Sequence, residues 1–331
     1  MADGVSVVAR NWQRAFEDIG FDTLTVAGDG PVDRTVPGLA IEAEHPPARE
    51  ELEDALADAD LVVVENLCSI PLNLPAAHVT GDVLVGRPAI MHHHDPPWQR
   101  ERFRHITELP IDRPGWRHVT INRLTQGEFA ERGIPATCIY NGFPTQTRSG
   151  DRRGVRDRLG VAVDDRLFAH PVRAIARKDV AAAIRLAEQL DATYWLWGPA
   201  EEGYHDELER LLSAANCPIV RGTSGEGAVD LYGAADAVVF PSLWEGFGNP
   251  PIEAAIHRVP AAVADYPVSA ELVALGMRWF PTDNPVPLGR FLTDPDPALL
   301  DHNREMALAN FSLDAMTRGI SALLTDAGWL P

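Results

Sequence analysis

Residues 240–265, FPSLWEGFGNPPIEAAIHRVPAAVAD, set two carboxylates, Glu245 and Glu253, around a Gly- and Pro-rich turn that opens a helix. The apolar run ahead of it, 237–240, reads as a buried strand, 241–249 as a loop, and Pro250 and Pro251 as the first positions of a helix, where a fixed φ and a missing N–H are tolerated. Glu253 then lies in the first helical turn while Glu245 stays in the loop. The two acids approach one space from different directions, together with the amides of Phe247, Gly248 and Asn249. A helix start of this kind favours anionic or hydroxyl-rich ligands, because its unsatisfied N–H groups and the positive end of the dipole point outward.

A second signal lies upstream. Of the 29 basic residues only Lys178 is a lysine, and it sits in HPVRAIARKD, residues 170–179, after a strand at 166–169 and before a helix at 180–190. Arg173 precedes it in the same loop. The chain as a whole has 331 residues, more than one core usually organises, and helical and strand-like segments alternate throughout, which argues for parallel sheets covered by helices. Strands are expected near 23–27, 61–65, 89–93, 118–122 and 137–140 in the first half. The second half gives 167–169, 194–197, 219–221, 237–240, 261–264 and 278–280. Between the halves 144–154, PTQTRSGDRRG, is polar and lacks periodic apolar residues, as a linker does. A net charge of −19 disfavours nucleic acid and anionic membrane surfaces as partners. No stretch approaches the length of a membrane span and the first residues are not a signal peptide, so a cytoplasmic enzyme without stable membrane insertion is expected. Three cysteines far apart fit reduced thiols.

The EGFGNPPIE text resembles the E-x7-E region of retaining glycosyltransferase family 4, whose members have the GT-B fold, two Rossmann-like doubly wound α/β domains facing a cleft. The resemblance is carried also by Arg173 and Lys178, which have the spacing of the family's G-R-x4-K-G pattern, by NGF at 141–143, and by LYGAAD at 231–236. It implies that Arg173 and Lys178 hold the donor diphosphate and stabilise the charge that grows as the glycosidic bond breaks. It implies that Glu253 binds the ribose, that Glu245 and the segment Phe247, Gly248, Asn249 and Pro250 meet the hexose, and that Gly222 lies where backbone groups reach the nucleobase. Asp179 stands where the family has glycine, which would place an acid near the phosphates. No cofactor and no metal are implied: the substrates are a nucleotide sugar and a small hydroxylated acceptor.

The first domain, 1–145, should face the acceptor, with 146–312 binding the nucleotide sugar and a last helix from 313 packing back on the first domain. Val5, Val8, Trp12, Phe16 and Ile19 recur at helical spacing after Asp3-Gly4, so the first element is a helix, and the family's preceding strand is expected to be missing. Gly4 resembles the last glycine of the family's phosphate turn. In MHHHDPPWQR, 91–100, the family carries a His or His-Asp that contacts the donor hexose, which singles out His94 as catalytic and Asp95 and Trp98 as acceptor contacts. Asn66, Asn73 and Asn141 follow strands and are further acceptor candidates, with a helix cap as the alternative for the first two. The three histidines invite a zinc reading, but neighbours on a strand point to opposite faces, so all three cannot ligate one ion. A GT-B phosphorylase, a nucleotide-sugar epimerase and a silent nucleotide-sugar-binding protein stay open on the sequence.

Overall fold

The computed structural model describes residues 4–146, 150–222 and 227–331. Asp3, part of the expected linker at 147–149, and Thr223 beside Gly222 lie outside the described residues. The chain divides into two compact units, Phe143–Ser312 and a second made of the segment up to Gly142 together with Leu313–Pro331.

In the second of these units β1 (Val26–Ala27) and β2 (Arg34–Thr35) form a small parallel pair. The main sheet is parallel, in the order β3 (Val62–Glu65), β4 (Ala89–His93), β5 (Arg117–Thr120) and β6 (Ala136–Cys138). Every residue of β4 is buried, and the side-chain alternation of a strand divides them between two cores. Ile90 joins Val8, Trp12, Phe16, Val119, Ile320 and Leu324, contributed largely by the helices Gly4–Ile19 and Leu313–Ala327. Met91 joins Leu52, Val64, Ala77, Leu84 and Trp116 on the other face. The apolar spacing of the first helix is thus the stripe it packs with.

The unit Phe143–Ser312 has a parallel sheet of β7 (Arg166–His170), β8 (Ala192–Leu196), β9 (Ile219–Arg221), β10 (Ala237–Phe240) and β11 (Ala261–Val263), in the spatial order β11-β10-β7-β8-β9. The chain runs outward from β7 to β9, then returns to the other side of β7. Ligands of open α/β sheets bind where the order reverses, outside the carboxyl ends of the strands, here those of β7 and β10. The loops that begin there are the ones carrying Arg173, Lys178 and Glu245.

Two expected elements are corrected. No strand forms at 278–280, because the backbone of Arg278 is occupied by Asn303, which accepts from its N–H and donates to its C=O, each at 2.8 Å, leaving only an isolated bridge from Phe280 to Ala262. The linker is also shorter than expected, since Arg152–Leu159 is a helix capped by Asp151, whose carboxylate accepts from Gly154 N–H. Its basic sequence, RRGVRDRL, hides an anchoring role. Arg152 and Arg156 each donate at 2.5 Å to Asp236, and the side chain of Arg156, 1% exposed, also donates to the carbonyls of Ala162, Asp165 and Ala234. Asp236 meanwhile accepts from Leu167 N–H at 2.8 Å, so it pins the helix to both β7 and β10. Among the described residues no helix is long and apolar enough to cross a membrane.

Removing Arg156 leaves Asp236 with Arg152 as its one guanidinium and takes the donor from the carbonyls of Ala162, Asp165 and Ala234. Arg156→Met should therefore cost about 3 to 5 kcal/mol of unfolding free energy in urea titration, well beyond the effect of a surface arginine substitution such as Arg185→Met.

Candidate functional site

The loop after β7 ends in a 3-10 turn, Ala176–Lys178, followed by Asp179 at φ +44, which caps the helix Val180–Gln189 by accepting from Ala182 N–H at 3.0 Å. The family's glycine position thus demands a left-handed backbone, and aspartate meets the demand while using its carboxylate as a cap. The acid expected near the phosphates is turned toward its own helix.

Lys178 is 9% exposed, and its Nζ donates to Glu245 Oε1. Arg177 Nη1 donates to the other oxygen, Oε2, at 2.5 Å and to the carbonyl of Trp244 at 3.1 Å. The two loops are tied by backbone as well, with Leu243 N–H donating to Arg177 C=O at 2.9 Å. Beneath them the ring of Phe240 lies 5.2 Å from the ammonium. Burial pulls the pKa of Lys178 down while Glu245 pulls it back up, and the result is about 8. Burial would raise that of Glu245, but Lys178 and Arg177 hold it below the ordinary carboxylate value. The acid therefore keeps the ammonium charged at neutral pH inside a dry site. Arg173 bonds instead to Glu201 at 2.8 Å and remains 37% exposed, within electrostatic reach of Lys178.

The helix Asn249–Ile256 is capped by Gly248 at φ +98 and starts one residue earlier than expected, so Glu253 is its fifth residue and lies just beyond the first turn, which contains no acidic residue. A Cβ on Gly248 would stand 2.6 Å from the hydroxyl of Tyr266, so this turn requires glycine twice over, for conformation and for space. Glu253 accepts from Tyr232 Oη at 2.7 Å, and burial without a cation raises its pKa to about 7. Tyr232 is itself stacked on His257, ring centres 5.0 Å apart. The side chain of Phe247 is buried against Phe143 and Phe311, which makes it packing. Gly222 is likewise engaged, since its N–H donates to Leu196 C=O at 2.8 Å and its carbonyl accepts from Trp195 Nε1 at 2.9 Å.

The remaining candidates belong to the other unit. Gly4 opens the first helix, with nothing within 4 Å of the place a Cβ would take. Asn73 is a helix cap: it accepts from Ala76 N–H, while its Nδ2 donates to the carbonyls of Gly38 and Ala40, so the side chain is spent on structure. Asn66, at φ +61, accepts with Oδ1 from the backbone N–H of both His94 and Asp95, and so serves the loop that follows β4. Asp95 pairs with Arg100 at 2.5 Å. Trp98 donates to Glu128 at 2.8 Å and carries Arg132 over its ring. Asn141 is buried at 3% exposure. His94 Nε2 meets Glu65 Oε2 at 3.0 Å, and His92 Nδ1 meets the same oxygen at 2.9 Å. His93 points the other way, to His118 at 2.8 Å.

Sequence reasoning missed Arg177, Glu65 and Tyr232. The Arg-Lys pair was a signal for the first, because a short 3-10 turn can aim two successive side chains at one acceptor. Glu65 carried none by itself, since its partners lie on the neighbouring strand.

Residues 174–290 match the family described as Glycosyl transferases group 1. Over 328 residues the chain is 26% identical to mannosylglucosylglycerate synthase of Thermotoga maritima, covering 80% of this chain and 76% of the relative. The enzyme of that name from Petrotoga mobilis is 23% identical over 359 residues, with 82% and 81% covered. Among solved structures, Anabaena Alr3699/HepE in complex with UDP-glucose superposes with a TM-score of 0.78 over 98% of this chain and 97% of that one, at 20% identity.

The raised pKa of Glu253 carries a signed consequence. A carboxyl whose folded value lies above its unfolded one contributes stability that is present below about pH 4.5 and lost as pH rises through about 7. Glu253→Gln should melt higher than the parent protein at pH 8, with the gap closing toward pH 5; an equal gap at both pH values in differential scanning fluorimetry would contradict it.

Proposed function

We propose that this chain, a nucleotide-sugar-dependent hexosyltransferase of GT-B fold with a glycosyl transferases group 1 domain, is a retaining enzyme of family 4 that passes a hexose to a hydroxyl of a small acceptor without a metal ion. The observation that carries the reading is the cluster of buried Lys178 and Glu245 with half-buried Arg177 at the carboxyl ends of β7 and β10. Two cations share one carboxylate there, so the cluster holds an excess of positive charge for a diphosphate. That charge is worth most when the sugar–phosphate bond breaks and the leaving group gains negative charge. Glu245 fixes both cations before the donor arrives, so little reorganisation is needed during the reaction.

In this reading Arg173 closes on the diphosphate by exchanging Glu201 for phosphate, and Glu253 takes the ribose hydroxyls in place of Tyr232. The departing phosphate oxygen removes the proton of the acceptor hydroxyl on the face from which it leaves, which preserves the anomeric configuration. The backbone at Phe247, Gly248 and Asn249 meets the hexose. The names of the relatives favour an acceptor that is a glycoside of a small hydroxy acid and a transferred mannose.

The test is an assay of UDP-, GDP- and ADP-hexoses against glucosylglycerate and glycerate, with the product's anomeric configuration read by proton NMR. Retention with EDTA present supports the reading; inversion, or turnover only with added metal, overturns it. Lys178→Ala should lose about 2 to 4 kcal/mol of transition-state stabilisation in kcat/KM. In the parent enzyme kcat/KM should fall as pH rises through about 8, where Lys178 loses its proton. Glu245→Gln should move that alkaline limb to lower pH, because burial then acts on the ammonium unopposed by the carboxylate.

A further inference from the structure

Past the ends of β7 and β8 the two chain segments stay paired into their loops. Gly198 N–H donates to Val172 C=O at 3.0 Å, Ala174 N–H to Pro199 C=O at 2.7 Å, and Glu201 N–H to Ala174 C=O at 3.0 Å, around a parallel bridge between Ala174 and Ala200. The approach is close enough to demand glycine at 198, where a Cβ would stand 2.4 Å from the carbonyl oxygen of Val172. Glu201 C=O in turn accepts from Tyr204 N–H at 3.1 Å. The backbone of Glu201 is thus held on both sides, and only its side chain is left to move. This zip sets the carboxylate beside Arg173, whose Nη1 it meets at 2.8 Å. The pair differs from its neighbour in solvation: Lys178 and Glu245 are buried, whereas the side chains of Arg173 and Glu201 are 37% and 40% exposed. An ion pair open to water shifts an equilibrium by no more than about fivefold, so the guanidinium is held without being locked. A diphosphate offers it paired charged oxygens, which a guanidinium bonds through two parallel N–H groups. Asp179, in the same loop as Arg173, caps its own helix and does not compete.

We propose that Glu201 is an internal competitor for the diphosphate: its carboxylate holds Arg173 in the free protein and takes it back as the nucleoside diphosphate leaves, so that it sets how fast that product is released. The inference rests on the reading that Arg173 meets the diphosphate. Because the zip keeps the backbone of Glu201 in place throughout, its carboxylate is within reach each time the guanidinium lets go of a phosphate oxygen. A leaving diphosphate that turns back then finds its partner occupied. Removing the charge of Glu201 therefore acts on dissociation, with little effect on the rate of arrival.

Calorimetric titration of the full chain with UDP, GDP and ADP, joined to stopped-flow tryptophan fluorescence for the rates, tests this. The tightest of the three nucleotides should bind Glu201→Gln about three- to fivefold more tightly, through slower dissociation. Glu202→Gln, which removes an exposed acid one residue on, should leave Kd within about 1.5-fold. In an Arg173→Met background the gain from Glu201→Gln should vanish, because the competitor acts only through that guanidinium. An equal gain from Glu202→Gln, or one that persists in Arg173→Met, overturns the proposal in favour of bulk charge. Unchanged affinity in Glu201→Gln, or a gain that comes from faster association alone, also overturns it. If Arg173→Met by itself binds the nucleotide as the parent does, the reading of Arg173 falls and the proposal with it. Binding of none of the three nucleotides to the parent protein sinks the wider reading of the site as well.

Discussion

The buried pair of Lys178 and Glu245 sets the conditions for the rest of the unit Phe143–Ser312. An ammonium taken out of water on its own would shed its proton, and a carboxylate would take one up. Held together, each keeps the other charged, and Arg177 supplies the extra cation that makes the assembly attractive to a polyanion. The pair also welds two loops that leave neighbouring strands, β7 and β10, so the sheet order itself is what brings them within reach. Phe240, Gly248 and Tyr266 pack around them, and the tight spacing of Gly248 against Tyr266 shows how little freedom that turn has.

Much of this was legible in the chain. The paired prolines announced a helix start at Pro250, one residue after the observed start at Asn249, the apolar run before them gave β10, and the spacing of Val8, Trp12 and Phe16 gave the first helix and its buried stripe. These features are local, set by φ restriction and by a period of burial. What escaped were partnerships across the sheet. Nothing in the text of Asn73 says that its amide will be used up on Gly38 and Ala40, and nothing in Glu65 says that two histidines from the next strand will share one oxygen. A basic run such as RRGVRDRL looks like a solvated linker until Asp236 is seen waiting for two of its arginines.

Departures from a family pattern also read differently once the backbone is known. Asp179 stands where the pattern has glycine, and it keeps the positive φ, at +44, that the glycine would have supplied. The conformation was retained while the side chain changed, and at Asp179 the new carboxylate caps the helix that follows. Sequence deviation there marks local substitution within a fixed turn, with the cation loop left in place.

A chain whose basic residues are arginine everywhere except position 178 has one further property. Guanidinium groups do not react with mild acylating reagents at neutral pH, and apart from the terminal amine the only primary amine is the one held against Glu245 at a pKa of about 8. Covalent amine chemistry therefore has a single side-chain address in this molecule. That address is the loop between β7 and the helix Val180–Gln189, so the extent of labelling doubles as a gauge of how open that loop is.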